Sequence, residues 1–169
     1  MNKTALFLEQ LSMNAPLIGG LFHGLSQEEL SDLVGLSEMA VFDGGAEVFR
    51  EGASGEVMYV VVSGKFAVSR TDALGNEVRL AVVSDGEIFG EIALLEHVRR
   101  TATVRALVPS VTLCFDRRAL ERWPGLTMKL YQNMALMLAR RLRLTTDELL
   151  FQVSQAGLAE AGAGQAADR

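Results

Sequence analysis

The chain of 169 residues contains few of the residues that build metal centres, disulfide frameworks and basic surfaces. It has one cysteine, Cys114, and two histidines, His23 and His97. One cysteine excludes an internal disulfide and a cysteine-based zinc site, and two histidines do not support a histidine-rich metal site. A formal net charge of −5 argues against nucleic acid as the main partner. We therefore expect neither a bound metal nor a DNA ligand.

Long apolar runs are also missing from the sequence. No window of about eighteen apolar residues is uninterrupted, which argues against a membrane-spanning helix. The apolar run after Lys3 is broken by Glu9 and Gln10, so no signal peptide is expected. We expect a cytoplasmic protein with no membrane partner. Hydrophobic residues make up 49% of the chain, enough for the core of about one domain.

Short β-branched and aromatic runs alternate with turn residues between residues 36 and 115. They lie at 39–42, 47–50, 57–62, 65–69, 77–83, 102–106 and 111–115. About eight short strands at this spacing are typical of an all-β sandwich or barrel. Turn residues with positive φ are predicted at the glycines between these runs, Gly52, Gly55, Gly64 and Gly86. Two aromatic residues of the runs, Tyr59 and Phe66, are predicted to lie in the core.

Helical patterns flank the strands. Ser26 and Glu29 form a capping-box pattern, which predicts a helix to about Gly35. A helix without internal glycine or proline is predicted from residue 126 to about residue 153, a length of roughly 42 Å. The predicted organisation is a helical lead at 1–15, which packs on the domain or on a partner, one domain at 16–153 ending in a long helix at 124–153, and a disordered tail at 154–169.

The long helix carries apolar residues at heptad spacing. This pattern favours a parallel coiled coil, and we predict a homodimer through 126–153. The alternative is a monomer in which one wide apolar stripe faces the core of the same chain.

The segment from residue 89 to residue 106 has the composition of a phosphate-binding loop. Gly90 lets a ligand approach the main chain, and the helical turn at 91–95 offers free N–H groups to an anion. Arg100 can donate two hydrogen bonds to phosphate oxygens, and Thr101 adds a hydroxyl. Glu91 would repel a phosphate but could accept hydrogen bonds from a ribose. The alternative is a plain ion pair between Glu91 and Arg100 on a domain without a ligand.

This segment resembles the phosphate-binding cassette of the cyclic-nucleotide-binding domain family. The resemblance rests on two blocks, Gly-Glu-Ile-Ala-Leu at 90–94 and Arg-Thr-Ala-Thr-Val at 100–104, whose Glu91 and Arg100 are 9 positions apart (100 − 91). It implies that Glu91 binds the ribose 2′-hydroxyl and Arg100 the cyclic phosphate. The implied fold is α+β, with an eight-stranded antiparallel, jelly-roll-like β-roll, N-terminal helices, a short cassette helix and a long C-terminal helix.

The predicted ligand-binding residues lie in the cassette and in the long helix. The cassette residues are Gly90, Glu91, Ile92, Ala93, Arg100, Thr101 and Ala102. In the long helix they are Arg141, Thr145 and Thr146, where the resemblance implies that both threonines hydrogen-bond adenine, one from each subunit. A backbone-bonded or register-setting role is the alternative for Thr145, and a solvated basic face is the alternative for Arg141.

The resulting hypothesis is a stand-alone receptor for a cyclic nucleotide, cAMP first, that signals to a partner protein by moving its C-terminal helix and dimer surface. A cGMP or cyclic-dinucleotide sensor is a variant of it. The other alternative is a dimeric interaction module that needs no ligand. No cofactor and no enzymatic activity are expected, because the sequence has no metal-ligand cluster and Glu91 has a binding role. We expect no DNA-reading element, since only residues 154–169 follow the helix.

Overall fold

The computed structural model of the chain describes residues 20–166. Those up to Asn133 form one compact unit, and those from Met134 onward form a second. The predicted helical lead at 1–15 lies outside the described residues. Within the described ranges, every helix is too short or too polar to cross a lipid bilayer.

Two antiparallel sheets of four strands make up most of the first unit. The strands are β1 (Glu38–Phe42), β2 (Glu47–Phe49), β3 (Val57–Ser63), β4 (Lys65–Thr71), β5 (Glu77–Ser84), β6 (Ile88–Phe89), β7 (Thr103–Ala106) and β8 (Ser110–Asp116). One sheet has the order β1-β8-β3-β6 and the other β2-β7-β4-β5. The helices are α1 (Gln27–Leu36), α2 (Glu91–Glu96), α3 (Arg117–Glu121) and α4 (Pro124–Ala166). The predicted α+β fold with an eight-stranded β-roll, a cassette helix and a long C-terminal helix is confirmed.

Inward-facing side chains from several strands form one apolar cluster. Its buried members are Val61, Phe66, Val83, Phe89, Val104 and Ala106. In β7 buried and half-buried residues alternate, as expected when one face of a strand packs on a core. The ring of Tyr59 stacks on Phe89 with centroids 4.9 Å apart and an interplanar angle of 7°. This stacking brings β3 and β6 together immediately before the cassette.

Local capping positions the helices of the first unit. The capping box of α1 is present, because Ser26 accepts from the N–H of Glu29 and the Glu29 carboxylate accepts from the N–H of Ser26. The same glutamate pairs with Lys129 of α4 at 2.6 Å. The Asn133 amide donates to the carbonyls of Leu21 and His23 at 2.8 and 2.9 Å. The first turns of α4 are therefore anchored to α1 and to the segment before it.

The C-terminal boundary differs from the prediction. The sequence predicted a helix to residue 153 and a disordered tail at 154–169, whereas α4 continues as a helix to Ala166. Five of residues 155–166 are alanine, the strongest helix former, and proline is absent from this stretch. The prediction treated this stretch as too short and too polar to fold, but residues that continue an existing helix need no core of their own, and a helix tolerates each glycine at a cost of about 1 kcal/mol.

Candidate nucleotide-binding site

Gly90 connects β6 to the cassette helix α2. It is the N-cap residue of α2, and its backbone is left-handed, with φ 76° and ψ 3°. A Cβ atom here would lie 2.7 Å from Nη1 of Arg100 and 3.2 Å from the carbonyl oxygen of Val57. Glycine is thus required for its conformation and for the close approach of Arg100.

Arg100 is buried, with 4% of its surface exposed, and the main chain fixes its guanidinium. Nη1 donates to the Gly90 carbonyl at 2.8 Å, and Nη2 donates to the Val57 carbonyl at 2.7 Å. The guanidinium carbon lies 4.1 Å from the ring centroid of Phe49 and 5.9 Å from that of Tyr59. Two carbonyls and two aromatic faces therefore hold this side chain in one orientation.

The charge of Arg100 is only partly compensated in the site. Burial lowers the pKa of the Arg100 guanidinium, and the nearby Tyr59 and Glu91 act in the opposite direction. Among the described residues its buried Nε has no hydrogen-bond partner. Glu91, the first residue of α2, is 2% exposed. A buried cation with an unpartnered N–H beside a buried carboxylate fits a ligand that carries both an anionic group and hydroxyls.

The loop between β2 and β3 packs on Arg100 from the other side. The N–H of Gly52 donates to the Arg100 carbonyl, and the N–H of Arg100 donates to the Ala53 carbonyl, both at 2.8 Å. A Cβ at Gly55 would lie 2.5 Å from Nε and from Nη2 of Arg100. The prediction of a positive φ is confirmed for Gly52, Gly64 and Gly86. It is wrong for Gly55, which is required because the guanidinium approaches its backbone so closely.

The other cassette residues of the predicted site have different environments. Ala93 and Ala102 are buried, with 2% and 9% exposed. Ile92 is half-buried, and Thr101 is exposed next to Arg100. The two alanines therefore pack against protein, whereas the Thr101 hydroxyl is accessible to a ligand.

The three predicted residues of the long helix lie in the second unit. Thr146 donates to the Leu142 carbonyl at 2.9 Å, which is an ordinary bond within a helix. Thr145 is exposed and Arg141 half-buried. Their contact with a ligand in the cassette stays a prediction.

Several groups that position Arg100 were not predicted. They are the carbonyls of Gly90 and Val57 and the rings of Phe49 and Tyr59. Tyr59 was predicted to be core, and it does stack on Phe89, but it also faces the guanidinium. A main-chain carbonyl has no signature in a sequence. Only the glycines of this region, Gly55 and Gly90, could have indicated that a side chain approaches the main chain closely here.

Comparison with known proteins identifies the family. Residues 40–123 match the model of the cyclic nucleotide-binding domain. Over 76% of its length the chain is 36% identical to the cyclic AMP receptor protein of Thermus thermophilus, and it spans 60% of that protein. This chain belongs to the cyclic nucleotide-binding domain family. It resembles the domains of catabolite activator proteins and of protein kinase A regulatory subunits.

Solved structures support the assignment of this cyclic nucleotide-binding domain. The N-terminal domain of a transcriptional regulator from Streptomyces coelicolor is 33% identical with a TM-score of 0.61, covering 76% of this chain and 90% of that one. A cyclic nucleotide-binding domain from Methylobacillus flagellatus shares the fold at 23% identity with a TM-score of 0.77, covering 87% and 84%. The chain spans 58 to 60% of the length of the first curated relatives it matches.

Proposed function

We propose that this cyclic nucleotide-binding domain is a receptor for a 3′,5′-cyclic nucleotide. The observation that carries the proposal is the buried guanidinium of Arg100, whose Nε lacks a partner in the described part of the chain. A cyclic phosphate would supply an acceptor for this N–H and would add negative charge beside the guanidinium. The carboxylate of Glu91 would accept a hydrogen bond from the ribose. Binding therefore compensates a charge that folding has already removed from water.

Among cyclic nucleotides, cAMP is the first candidate. The Thermus relative is named a cyclic AMP receptor protein, and it matches this chain across the cassette. Thr101, exposed beside Arg100, provides a hydroxyl that also suits cGMP, and a cyclic dinucleotide is a further variant. In this proposal the base contacts Thr145 and Thr146 of α4, and Arg141 reaches the same ligand.

The proposed output is a change in the surface of α4. The part of α4 that lies in the second unit exposes large apolar side chains. They are Leu136, Leu142, Leu144, Leu149, Leu150, Phe151 and Val153. We infer that two copies of the chain form a homodimer through these residues. When ligand shifts the population of helix positions, the dimer presents a different surface to a partner protein. The shift can be no larger than the preference of the ligand for one state.

A second candidate function is a dimeric interaction module that needs no ligand. The exposed apolar residues of α4 favour an interaction role independently of the cassette. Analysis of the purified protein by ultraviolet absorbance and mass distinguishes the two candidate functions. A nucleotide that remains bound to the protein supports the receptor.

Calorimetry with cAMP and cGMP tests the receptor directly. We expect wild type to bind at least one of them and Arg100→Ala to lose at least about tenfold in affinity, because a charge-assisted hydrogen bond contributes about 1.5–3 kcal/mol. Arg118→Ala, which removes an exposed arginine on α3, is the matched control and should bind like wild type. No heat of binding by wild type at high micromolar ligand would reject the receptor.

A further inference from the structure

A cavity next to the cassette lies where the loop before β3, the end of α2 and the start of α3 meet. Its volume is about 270 Å³. Two arginines line it, Arg99 after α2 and Arg117 of α3, together with one carboxylate, Glu56 of the loop. The other titratable residue of the lining, His97, cannot supply negative charge. The lining therefore carries more positive than negative charge.

Arg117 is a buried cation with too few partners. It is 8% exposed, and its Nη2 donates to the Ala93 carbonyl at 3.3 Å. Its Nη1 contacts the ring of His97, and its buried Nε has no hydrogen-bond partner in the described ranges. An oxygen of the Glu56 carboxylate lies 3.7 Å from Nη1, beyond hydrogen-bond distance, on a side chain that is 52% exposed. Folding has thus removed the Arg117 guanidinium from water without a hydrogen-bonded counter-charge.

Arg99 offers a second guanidinium to the same cavity. Its side chain is exposed, and its Nη1 donates to the carbonyl of Gly52 at 3.0 Å. A carbonyl is a neutral acceptor, and Arg99 forms no ion pair within the part of the chain that the structure describes. Because a guanidinium carries five N–H donors, both Arg99 and Arg117 retain donors for a ligand.

The charge and the size of the cavity indicate the class of ligand. Arginine donates parallel hydrogen bonds to phosphate oxygens, and a phosphate monoester carries a charge of about −1.5 to −2 at pH 7. A volume of about 270 Å³ is just below the range of about 300–1,000 Å³ that is typical of small-molecule pockets, so the ligand must be small. Val98, which is 43% exposed, adds an apolar side chain to the lining. These features fit a phosphate group, either free or esterified to a short organic group.

We propose that this cavity is a second anion site, in which Arg117 and Arg99 bind a small phosphate group. The phosphate accepts hydrogen bonds from both guanidiniums and supplies the counter-charge that Glu56 provides only from 3.7 Å. The loop before β3, the cassette and α3 then share one ligand. This site is distinct from the proposed receptor function and does not depend on it, because neither Arg100 nor Glu91 lines the cavity.

Titration with inorganic phosphate tests the site, followed by the amide NMR spectrum at constant ionic strength and about pH 8, where imidazole is uncharged. We expect saturable shifts of the amides at 54–56, 97–99 and 117, with a dissociation constant of about 1 mM or lower. A parallel titration with glycerol phosphate separates the two sources of the group. Tighter binding than inorganic phosphate identifies an ester as the ligand, and equal or weaker binding identifies the free ion. Shifts that do not saturate with either probe, or that are confined to 90–92 and 100–102, would overturn the proposal.

Three variants at exposed positions test the donors by the direction of the change. Arg99→Gln should weaken phosphate binding by about tenfold or more, because it removes a charged hydrogen-bond donor. Glu56→Gln should instead strengthen binding, by up to about fivefold, since it removes the competing carboxylate. Arg118→Gln, one position from Arg117, removes an arginine that does not line the cavity and should bind like wild type. An Arg99→Gln variant that binds phosphate as tightly as wild type would overturn the proposal.

Arg117→Gln tests the buried charge itself and should abolish saturable binding of phosphate. The amide spectrum of this variant without phosphate shows whether it keeps the native fold. Wild-type affinity in a natively folded Arg117→Gln would overturn the proposal. If the variant does not fold, the affinity of Arg99→Gln decides the outcome.

Discussion

The guanidinium of Arg100 lies 4.1 Å from the ring centroid of Phe49, at the end of β2. The same ring packs against Tyr59 and Phe89, with centroids 5.8 and 6.0 Å apart. The cation of the candidate site and the aromatic part of the core are therefore one continuous cluster. Because the core fixes these rings, the orientation of Arg100 is set by folding, and a ligand need not pay to order it.

Replacing the ring of Phe49 should weaken ligand binding. Phe49→Leu keeps an apolar side chain but removes the cation–π contact, which contributes about 0.5–2 kcal/mol. We expect a loss of about twofold to thirtyfold in affinity for cAMP, measured by calorimetry. Phe42→Leu is the control, because that ring contacts Tyr59 and Phe66. Equal losses in both variants would show that the effect is general to the core.

A methyl group at Gly55 should displace Arg100. The added Cβ would lie 2.5 Å from two of the guanidinium nitrogens, so the side chain or the loop must move. We expect Gly55→Ala to reduce affinity for cAMP by about tenfold or more, as for loss of a charged hydrogen bond. Gly35→Ala adds the same methyl group in open space within α1 and should leave affinity unchanged. Normal binding by Gly55→Ala would show that Arg100 does not need its observed position.

Local patterns in the sequence were sufficient for most of the fold. The capping box of Ser26, the strand runs and the helical turn at Glu91 each depend on neighbouring residues, and each is confirmed. The strand β6 has two residues, Ile88 and Phe89, too few for a pattern. It exists because it pairs with β3, which is a tertiary property.

The candidate site was predicted less completely, for a related reason. Glu91 and Arg100 belong to one contiguous motif and could be found from residue type and spacing. Val57, however, whose carbonyl accepts a hydrogen bond from the Arg100 guanidinium, is 43 residues away from Arg100 in the sequence. A single sequence does not show which distant segments meet, so the environment that fixes Arg100 became visible only in the fold.

Acid should remove the contribution of Arg105 to stability. Arg105 of β7 pairs with Glu47 at 3.0 Å and with Glu77 at 2.5 Å, and so joins β2 to β5. The pKa of Glu47 is lowered mainly by a hydrogen bond from Arg50 and, to a lesser extent, by one from Arg105. The pKa of Glu77 is lowered mainly by a hydrogen bond from Ser69 and, to a lesser extent, by one from Arg105. A carboxyl group with a lowered pKa stabilises the fold above its unfolded-state pKa of about 4.3, and this stabilisation is lost as the pH falls through the lowered value.

Thermal unfolding of Arg105→Gln tests whether acid removes this stabilisation. At about pH 7 the variant should unfold at a slightly lower temperature than wild type, and the difference should be small because solvent screens these partly exposed pairs. As the pH falls below about 4.3 the two melting temperatures should converge. Arg118→Gln should match wild type throughout. A difference that grows in acid would contradict the assignment of Glu47 and Glu77 as the titrating partners.

Assembly through the second unit should depend on two exposed leucines of α4. Leu142 and Leu149 of α4 are seven residues apart (149 − 142) and are 69% and 58% exposed. Exposed leucines at heptad spacing are typical of a coiled-coil seam, where an aspartate would be buried without a partner. We expect wild type to sediment at twice its 18.3 kDa mass at micromolar concentration, and the double variant Leu142→Asp with Leu149→Asp to sediment at 18.3 kDa. Leu74→Asp alters an equally apolar residue, 86% exposed in the turn between β4 and β5, and should stay dimeric. This control shows whether the loss of an exposed leucine elsewhere in the chain also disrupts the dimer. A monomeric wild type or a dimeric double variant would each show that α4 does not pair through Leu142 and Leu149.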